Sequence, residues 1–218
     1  MNAARLALIS GVLVLAPMAL SAQKMQINAG ANFIFGDYKE TAAALHYQGG
    51  GAGLWVGLSK GKLSADAAFA GLTYKPVDDG FGFEDFKTTQ IDARLRYYIA
   101  SGISGEVGLT RRKADPEFAA QSAAAGRIGL RARYLLGPGA DLTVRGNYLA
   151  GGKFSGGGKA AFGLEVGLGL SVGAGNGRWR VTADYEFQRF NRTTESGGVT
   201  NKVPLQQALA RVGAALGF

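Results

Sequence analysis

Strict alternation of apolar and polar residues is the feature that most constrains how this 218-residue chain can fold. In Thr89–Ile99 every second residue from Ile91 onward is apolar, and the residues between them are mostly charged or polar. Gly126–Leu136 and Trp179–Phe187 repeat the same pattern. An amphipathic helix repeats about every 3.6 residues, so a period of two predicts β-strands with one apolar face and one polar face.

Short and long connections alternate between the segments that show this period. Glycine-containing turns such as Ala100–Gly102 are short, whereas connections such as Lys75–Thr88 are long. Strands joined in this way are antiparallel, and an even number of them can close into an up-and-down barrel. The alternation predicts an all-β barrel of ten strands, with eight as the alternative count. The predicted strands are Met25–Gly36, Gly50–Ser59, Lys62–Tyr74, Thr89–Ile99, Ser104–Arg112, Gly126–Leu136, Ala140–Ala150, Lys159–Val172, Trp179–Phe187 and Leu205–Phe218.

The amino-terminal segment Met1–Ala22 has the composition of a cleaved secretory signal. Arg5 supplies a positive charge, Leu6–Leu20 is largely apolar, and small residues occupy Ser21 and Ala22. The alternative is an amino-terminal membrane helix, but a span needs about 20 apolar residues and this segment is shorter. We therefore expect residues 1–22 to be removed on export and residues 23–218 to form one barrel domain.

Aromatic residues on the apolar face indicate which face of the predicted barrel points outwards. A water-soluble barrel would place its apolar face inside, and alternation is compatible with either arrangement. The aromatic side chains gather near both ends of the strands, as expected at the two surfaces of a bilayer. These predicted girdles contain Tyr97, Tyr134, Trp179 and Phe218 near the short turns, and Phe33, Phe69, Tyr148 and Phe187 near the long connections. The sequence thus predicts a transmembrane barrel with lipid outside and a polar lumen.

The polar face carries charges of both signs, which would share the lumen of such a barrel. Buried charges are costly unless they are paired, so we expect a hydrogen-bonded network across the lumen. The excess of two positive charges would suit an anion-conducting path, but barrels of about eight strands are filled by side chains, which favours a plug. The expected partners of Arg94, Arg96, Arg131 and Arg133 include Asp92, Glu165, Asp184 and Glu186. The whole predicted network consists of Asp66, Asp92, Arg94, Arg96, Glu106, Arg127, Arg131, Arg133, Arg145, Glu165, Arg180, Asp184, Glu186 and Arg211.

The carboxy-terminal strand resembles the assembly signal of bacterial outer-membrane proteins. Its apolar residues alternate and end on an aromatic residue, and they are Val212, Ala214, Leu216 and Phe218. Together with the signal segment, the alternating strands and the glycine turns, this ending makes the chain resemble the small outer-membrane β-barrel proteins. That broad group includes the transmembrane domain of outer-membrane protein A, which has about eight strands. The ten strands predicted here are a departure from that number.

The resemblance implies a place in the bacterial outer membrane and a set of partners. We expect contact with outer-membrane lipids and lipopolysaccharide, and insertion by the barrel-assembly machinery. The expected role is non-enzymatic, either structural or in surface interactions, with a largely plugged lumen. A narrow porin-like channel for small solutes, with a weak anion preference, is the alternative, and an outer-membrane hydrolase is a more distant one. The sequence does not specify any extracellular ligand of the loops.

Signals for catalysis or for other ligands are weak in this sequence. His46 is the only histidine and lies near Asp37 and Glu40, where a histidine–carboxylate pair could act as a base, as in outer-membrane proteases of the omptin kind. The paired acidic motifs of those proteases have no counterpart here. With one histidine and no cysteine, we expect neither a metal site nor a cofactor. The basic residues are spaced along strands instead of clustering with aromatics, which does not favour nucleic-acid binding.

Overall fold

The computed structural model describes residues 24–41, 45–77, 84–173 and 177–218. The predicted signal segment Met1–Ala22 and parts of three connections lie outside these residues. The described residues contain eleven β-strands and a short 3-10 helix at Pro116–Gln121. The strands are β1 (Gln26–Glu40), β2 (Leu45–Lys60), β3 (Leu63–Pro76), β4 (Phe86–Ala100), β5 (Ile103–Ala114), β6 (Ala123–Gly137), β7 (Ala140–Phe154), β8 (Lys159–Gly173), β9 (Trp179–Ser196), β10 (Val199–Lys202) and β11 (Leu205–Gly217).

All the strands except β10 form a closed antiparallel ring. Each strand from β1 to β9 pairs with the next, β9 pairs with β11, and β11 returns to β1. The closing pair runs from Asn28 opposite Gly217 to Glu40 opposite Leu205. The predicted ten-stranded up-and-down barrel is therefore confirmed for the described residues. Closure leaves no free strand edge in the ring.

The strands extend further towards the long connections than their alternation indicated. β1 continues to Glu40 instead of Gly36, β2 begins at Leu45 instead of Gly50, and β9 continues to Ser196 instead of Phe187. In these extensions the outward face becomes polar, while the inward face carries buried aromatic residues such as Tyr38, Tyr47 and Phe190. The apolar-outward period therefore disappears although the strands stay paired. The extra strand β10 was predicted as loop and pairs only with the far end of β9.

The apolar face of each strand points out of the barrel. The outward aromatic side chains include Phe33 and Phe69 towards the long connections, and Trp179 and Phe218 towards the short turns, all of them exposed. Between these two levels the wall exposes aliphatic residues such as Leu109 and Ile128. This is the surface expected of a barrel with lipid outside. No helix within the described part of the chain is long and apolar enough to cross a membrane.

Apolar residues also fill the inside of the barrel at the end that carries the long connections. Five aromatic rings lie at its centre, with Tyr74 and Phe86 stacked at 5.1 Å between centroids and Tyr47 edge-on to Phe86 at 4.9 Å. Phe118, from the 3-10 helix, stacks on the other side of Phe86 at 5.0 Å. We call this region the aromatic core. It contains Ile34, Tyr38, Tyr47, Leu72, Tyr74, Phe86, Leu149, Phe154, Phe190, Leu205 and Leu209.

Candidate functional site

The lumen has three layers, and the charged one lies in the middle. The aromatic core closes the long-connection end. A group of paired charges, which we call the charge belt, crosses the barrel below it. An open cavity, the short-turn cavity, occupies the other end. The charge belt consists of Asp92, Arg94, Glu106, Arg127, Arg145, Glu165, Asp184, Glu186 and Arg211.

Glu186 on β9 is the carboxylate that links the charge belt across the barrel. Its Oε2 lies 2.8 Å from Arg94 of β4, 2.8 Å from Arg145 of β7 and 3.4 Å from Arg211 of β11. The residue is 1% exposed, so these contacts replace the water that a carboxylate would otherwise bind. Three guanidinium groups from separate parts of the wall thus share a single buried acceptor.

Glu165 on β8 is another fully buried carboxylate of the charge belt. Arg127 lies 3.1 Å from its Oε2, and Asn147 donates to its Oε1 at 3.0 Å. The side-chain amide of Gln188 donates to Oε2 at 3.2 Å. Arg127 also pairs with Asp92 of β4. The wall around Glu165 therefore supplies both charged and neutral donors, and the lumen is filled at this level.

Arg145 depends on a glycine on the neighbouring strand for its position. It forms a two-pronged contact with Asp184, at 2.7 and 3.1 Å, and Arg211 lies 2.8 Å from the same carboxylate. Gly167 lies opposite Arg145 on β8. A Cβ atom at Gly167 would lie 2.4 Å from the Arg145 Cζ, so any side chain there would displace the guanidinium from its partners.

The remaining predicted charges lie nearer the short turns, and they pair differently from expectation. Arg96 donates to Asp66 at 2.7 Å, Arg131 lies 2.8 Å from Glu106, and Arg133 lies 2.9 Å from Asp141. Of the pairs expected for these arginines, the structure contains Arg94–Glu186 at 2.8 Å and Arg94–Glu165 at 3.6 Å. The alternation shows which residues share the lumen, but the stagger of the strands determines which of them meet.

Asp141 is a lumenal carboxylate that sequence reasoning missed. It is buried between Arg133 and Arg180, both of which pair with it. Its position four residues before Arg145 on a predicted strand already placed it on the polar face, and this parity could have identified it. With Asp141 included, the arginine excess among these residues falls from two to one.

Two arginines above the charge belt were also missed, and both support the aromatic core. The guanidinium of Arg112 lies 4.8 Å from the centroid of the Tyr38 ring and donates to Gln207 at 2.8 Å. Arg192 lies over Phe154 and donates to the backbone carbonyls of Gly156 and Gly157, at 2.7 and 2.8 Å. Arg192 lies beyond the predicted end of its strand, whereas the parity of Arg112 with Glu106 could have indicated its inward position.

The short-turn cavity has a volume of about 610 Å³ and opens towards the short turns. Its wall includes Asp66, Arg96, Arg133 and Arg180, whose side chains remain partly exposed. Arg145, Asp184 and Arg211 of the charge belt line its inner end. The cavity is therefore a polar recess that ends at the charge belt.

The histidine–carboxylate pair considered from the sequence lies outside the lumen. His46 is in β2, not in a loop, and its Nε2 lies 2.8 Å from Asp37 Oδ2 on the outer wall. Burial acts to raise the pKa of Asp37, but hydrogen bonds from His46 and Gln48, with the charges of His46 and Lys39, lower it overall. Among the described residues, no group of three or more His, Cys, Asp or Glu side chains could hold a metal ion.

The residues of the predicted assembly signal lie on the outside of the strand that closes the ring. Val212 and Phe218 are exposed on this outer face, and Ala214 and Leu216 lie between them. The backbone N–H of Phe218 donates to the carbonyl of Ile27 at 2.8 Å. The last residue is thus paired with the first strand of the barrel.

Comparison with known proteins supports the fold and gives no closer relationship. No protein-family model and no curated protein sequence matches the chain. Its structure is similar to that of the outer-membrane protease OmpT of Escherichia coli, with a TM-score of 0.50 and 10% identity over 88% of this chain and 97% of the protease. Ail, the attachment invasion locus protein of Yersinia pestis, has a TM-score of 0.42 and 14% identity, covering 89% of this chain and 99% of Ail. Neisserial surface protein A has a TM-score of 0.42 and 14% identity, covering 87% of this chain and 96% of its own. The chain has the fold of the small outer-membrane β-barrels.

Proposed function

We propose that the protein is an integral outer-membrane barrel with a sealed lumen and a non-enzymatic role, either structural or in surface interactions. The observation that carries this proposal is the aromatic core above the charge belt. Tyr38, Tyr74 and Phe86 are at most 2% exposed, and the charge belt directly below contains fully buried ion pairs. A hydrated ion would have to displace both layers to cross the barrel.

The proposed location rests on the outer surface of the barrel. An exposed apolar wall between two aromatic levels is unfavourable in water and matches the hydrocarbon layer of a membrane. In barrels of this kind, short turns face the periplasm and longer loops face outwards. We propose the same orientation here, with lipids against the wall. The barrel-assembly machinery would insert the chain through the closing strand that ends at Phe218.

Fractionation and conductance together test this proposal. The protein should fractionate with outer membranes, and unheated samples should migrate faster on gels than heated ones because the barrel stays compact. Refolded protein in planar bilayers should give no steady current, while an open porin measured in the same bilayers shows that the assay detects channels. Recovery in a soluble periplasmic fraction would contradict the location.

A narrow anion-preferring channel is the second candidate, and the short-turn cavity is the observation in its favour. The cavity would be its entrance, and conduction would then require an opening through the charge belt and the aromatic core. Steady anion-selective currents from the wild-type protein would replace the sealed barrel with this function. Loss of those currents on adding side-chain volume at the cavity wall would identify the path.

A further inference from the structure

Outward-facing cations surround the barrel where its strands leave the apolar wall at the long-connection end. Some of them have a carboxylate partner, such as Lys39, which lies 3.7 Å from Asp37, and Lys75, which lies 3.9 Å from Asp85. Others have no carboxylate within 4.0 Å among the residues whose side chains the structure describes, and four of these lie together on β5, β7 and β8. We call this group the cationic row. It consists of Arg111, Lys113, Lys153 and Lys159.

The pairing of the strands places the cationic row in a line around the barrel. Arg111 on β5 lies opposite Ala124 on β6, which lies opposite Lys153 on β7. Lys153 in turn lies directly opposite Lys159 on β8. Neighbouring strands are about 4.8 Å apart, so the row spans about 15 Å. Lys113 lies two residues beyond Arg111 on the same face, and all the cations of the row are exposed.

This arrangement is unfavourable for the protein alone. Like charges directly opposite each other on adjacent strands destabilise a sheet, and Lys153 and Lys159 form such a pair. Ala124 has only a methyl group, which leaves a recess between Arg111 and Lys153. An anion in or beside this recess would be within reach of cations from both sides. An anionic group of another molecule, placed between these cations, would relieve the repulsion.

The surface directly below the cationic row is apolar. Leu109 is 64% exposed and Ile128 is 57% exposed, and Tyr148 and Phe162 lie side by side with centroids 5.6 Å apart. A ligand held by the row would therefore have its charged part at the level of the cations and apolar chains beneath. A phosphorylated lipid has this distribution, whereas free phosphate would use only the upper part of the surface.

We propose that the cationic row binds the phosphate groups of lipopolysaccharide, with the acyl chains lying against the wall of β5–β8. This inference rests on the proposed location and orientation, which bring the long-connection end into the outer leaflet. The site is placed on β5–β8 because the directly opposed pair Lys153–Lys159 lies there, whereas Lys39 and Lys75 have carboxylate partners. Juxtamembrane lysines contribute about 1 kcal/mol each to binding anionic lipids, so two of them make a measurable difference.

Binding of bisphosphorylated lipid A to the purified barrel in detergent tests this site, for example by native mass spectrometry. The double variant Lys153→Gln/Lys159→Gln should bind roughly thirtyfold more weakly than the wild-type protein. The matched control Lys39→Gln/Lys75→Gln removes the same charge from paired lysines and should bind within about twofold of wild type. Lipid A without its phosphates should bind weakly to all three proteins. Heat-modifiable migration on gels shows that each variant is folded.

Two results would overturn the proposal. Equal loss of binding in both double variants would mean that only overall charge matters, and unchanged binding in Lys153→Gln/Lys159→Gln would mean that the row is not the site. Effective competition by millimolar inorganic phosphate would indicate a general anion site in place of a lipid site. Because binding is measured on purified protein, these outcomes are independent of fractionation. If the protein is found in the outer membrane but Lys153→Gln/Lys159→Gln binds lipid A normally, the lipid site is refuted and the proposed location is not.

Discussion

The two halves of the lumen are built on the same strands but are stabilised in different ways. Towards the long connections, rings such as Tyr74 and Phe86 contact each other and exclude water. Towards the short turns, pairs such as Arg96–Asp66 and Arg133–Asp141 line a cavity and stay partly exposed. The charge belt lies at the boundary, where ion pairs become fully buried. The same charged group should therefore contribute more to the free energy of unfolding the closer it lies to the aromatic core.

Removing the central carboxylate of the charge belt is the strongest test of this difference between the two halves of the lumen. Glu186→Gln keeps the shape of the side chain but leaves Arg94, Arg145 and Arg211 without their shared charge. Removing one partner from a buried ion pair costs about 3–5 kcal/mol, and we expect a loss in this range. Urea unfolding of the refolded barrel, followed by heat-modifiable gel migration, measures the change. Stability equal to wild type would mean that water reaches the charge belt.

Truncation of an aromatic ring in the dry half should have the next largest effect. Phe86→Ala removes a side chain that contacts Tyr47, Tyr74 and Phe118, and it should lower the free energy of unfolding by about 3 kcal/mol. Phe35→Ala is the matched control, because Phe35 lies next to the core residue Ile34 but faces outwards. A larger loss for Phe35→Ala would show that the outer surface, and not the aromatic core, stabilises this end.

The fold followed from the sequence more completely than the site did. Apolar and polar residues alternate because one face of each strand meets lipid and the other meets the lumen. This alternation therefore identifies the part of each strand that lies within the apolar wall. Beyond the wall, as at Asp37–Glu40, the outer face becomes polar and Tyr38 on the inner face joins the aromatic core, so the apolar-outward period disappears while pairing continues. Contacts inside the lumen depend on strand stagger, which residue parity does not encode. Parity alone therefore placed Arg131 in the lumen without identifying Glu106 as its partner.

A charge removed from the cavity side should cost much less than one removed from the charge belt. Asp66→Asn leaves Arg96 without its carboxylate, but both side chains are about one quarter exposed, so water can replace the lost contact. We expect a loss below about 1 kcal/mol, as for ion pairs that solvent screens. The same urea titration measures it beside Glu186→Gln. Equal losses for the two variants would remove the distinction between the charge belt and the short-turn cavity.

The smallest expected effect lies outside the lumen, at Asp37. Its pKa is lowered, so its ionised form is favoured in the folded barrel relative to the unfolded chain. The resulting stability is fully present above the unfolded value near 3.8 and is lost as the pH falls through the lower folded value. Asp37→Asn should therefore be less stable than wild type at pH 6 by less than about 1 kcal/mol, because the pair is partly exposed. Urea titrations of both proteins at pH 6 and at pH 3 measure the difference, which should shrink at the lower pH. A difference that grew on acidification would mean that the contacts with His46 and Gln48 do not favour the carboxylate.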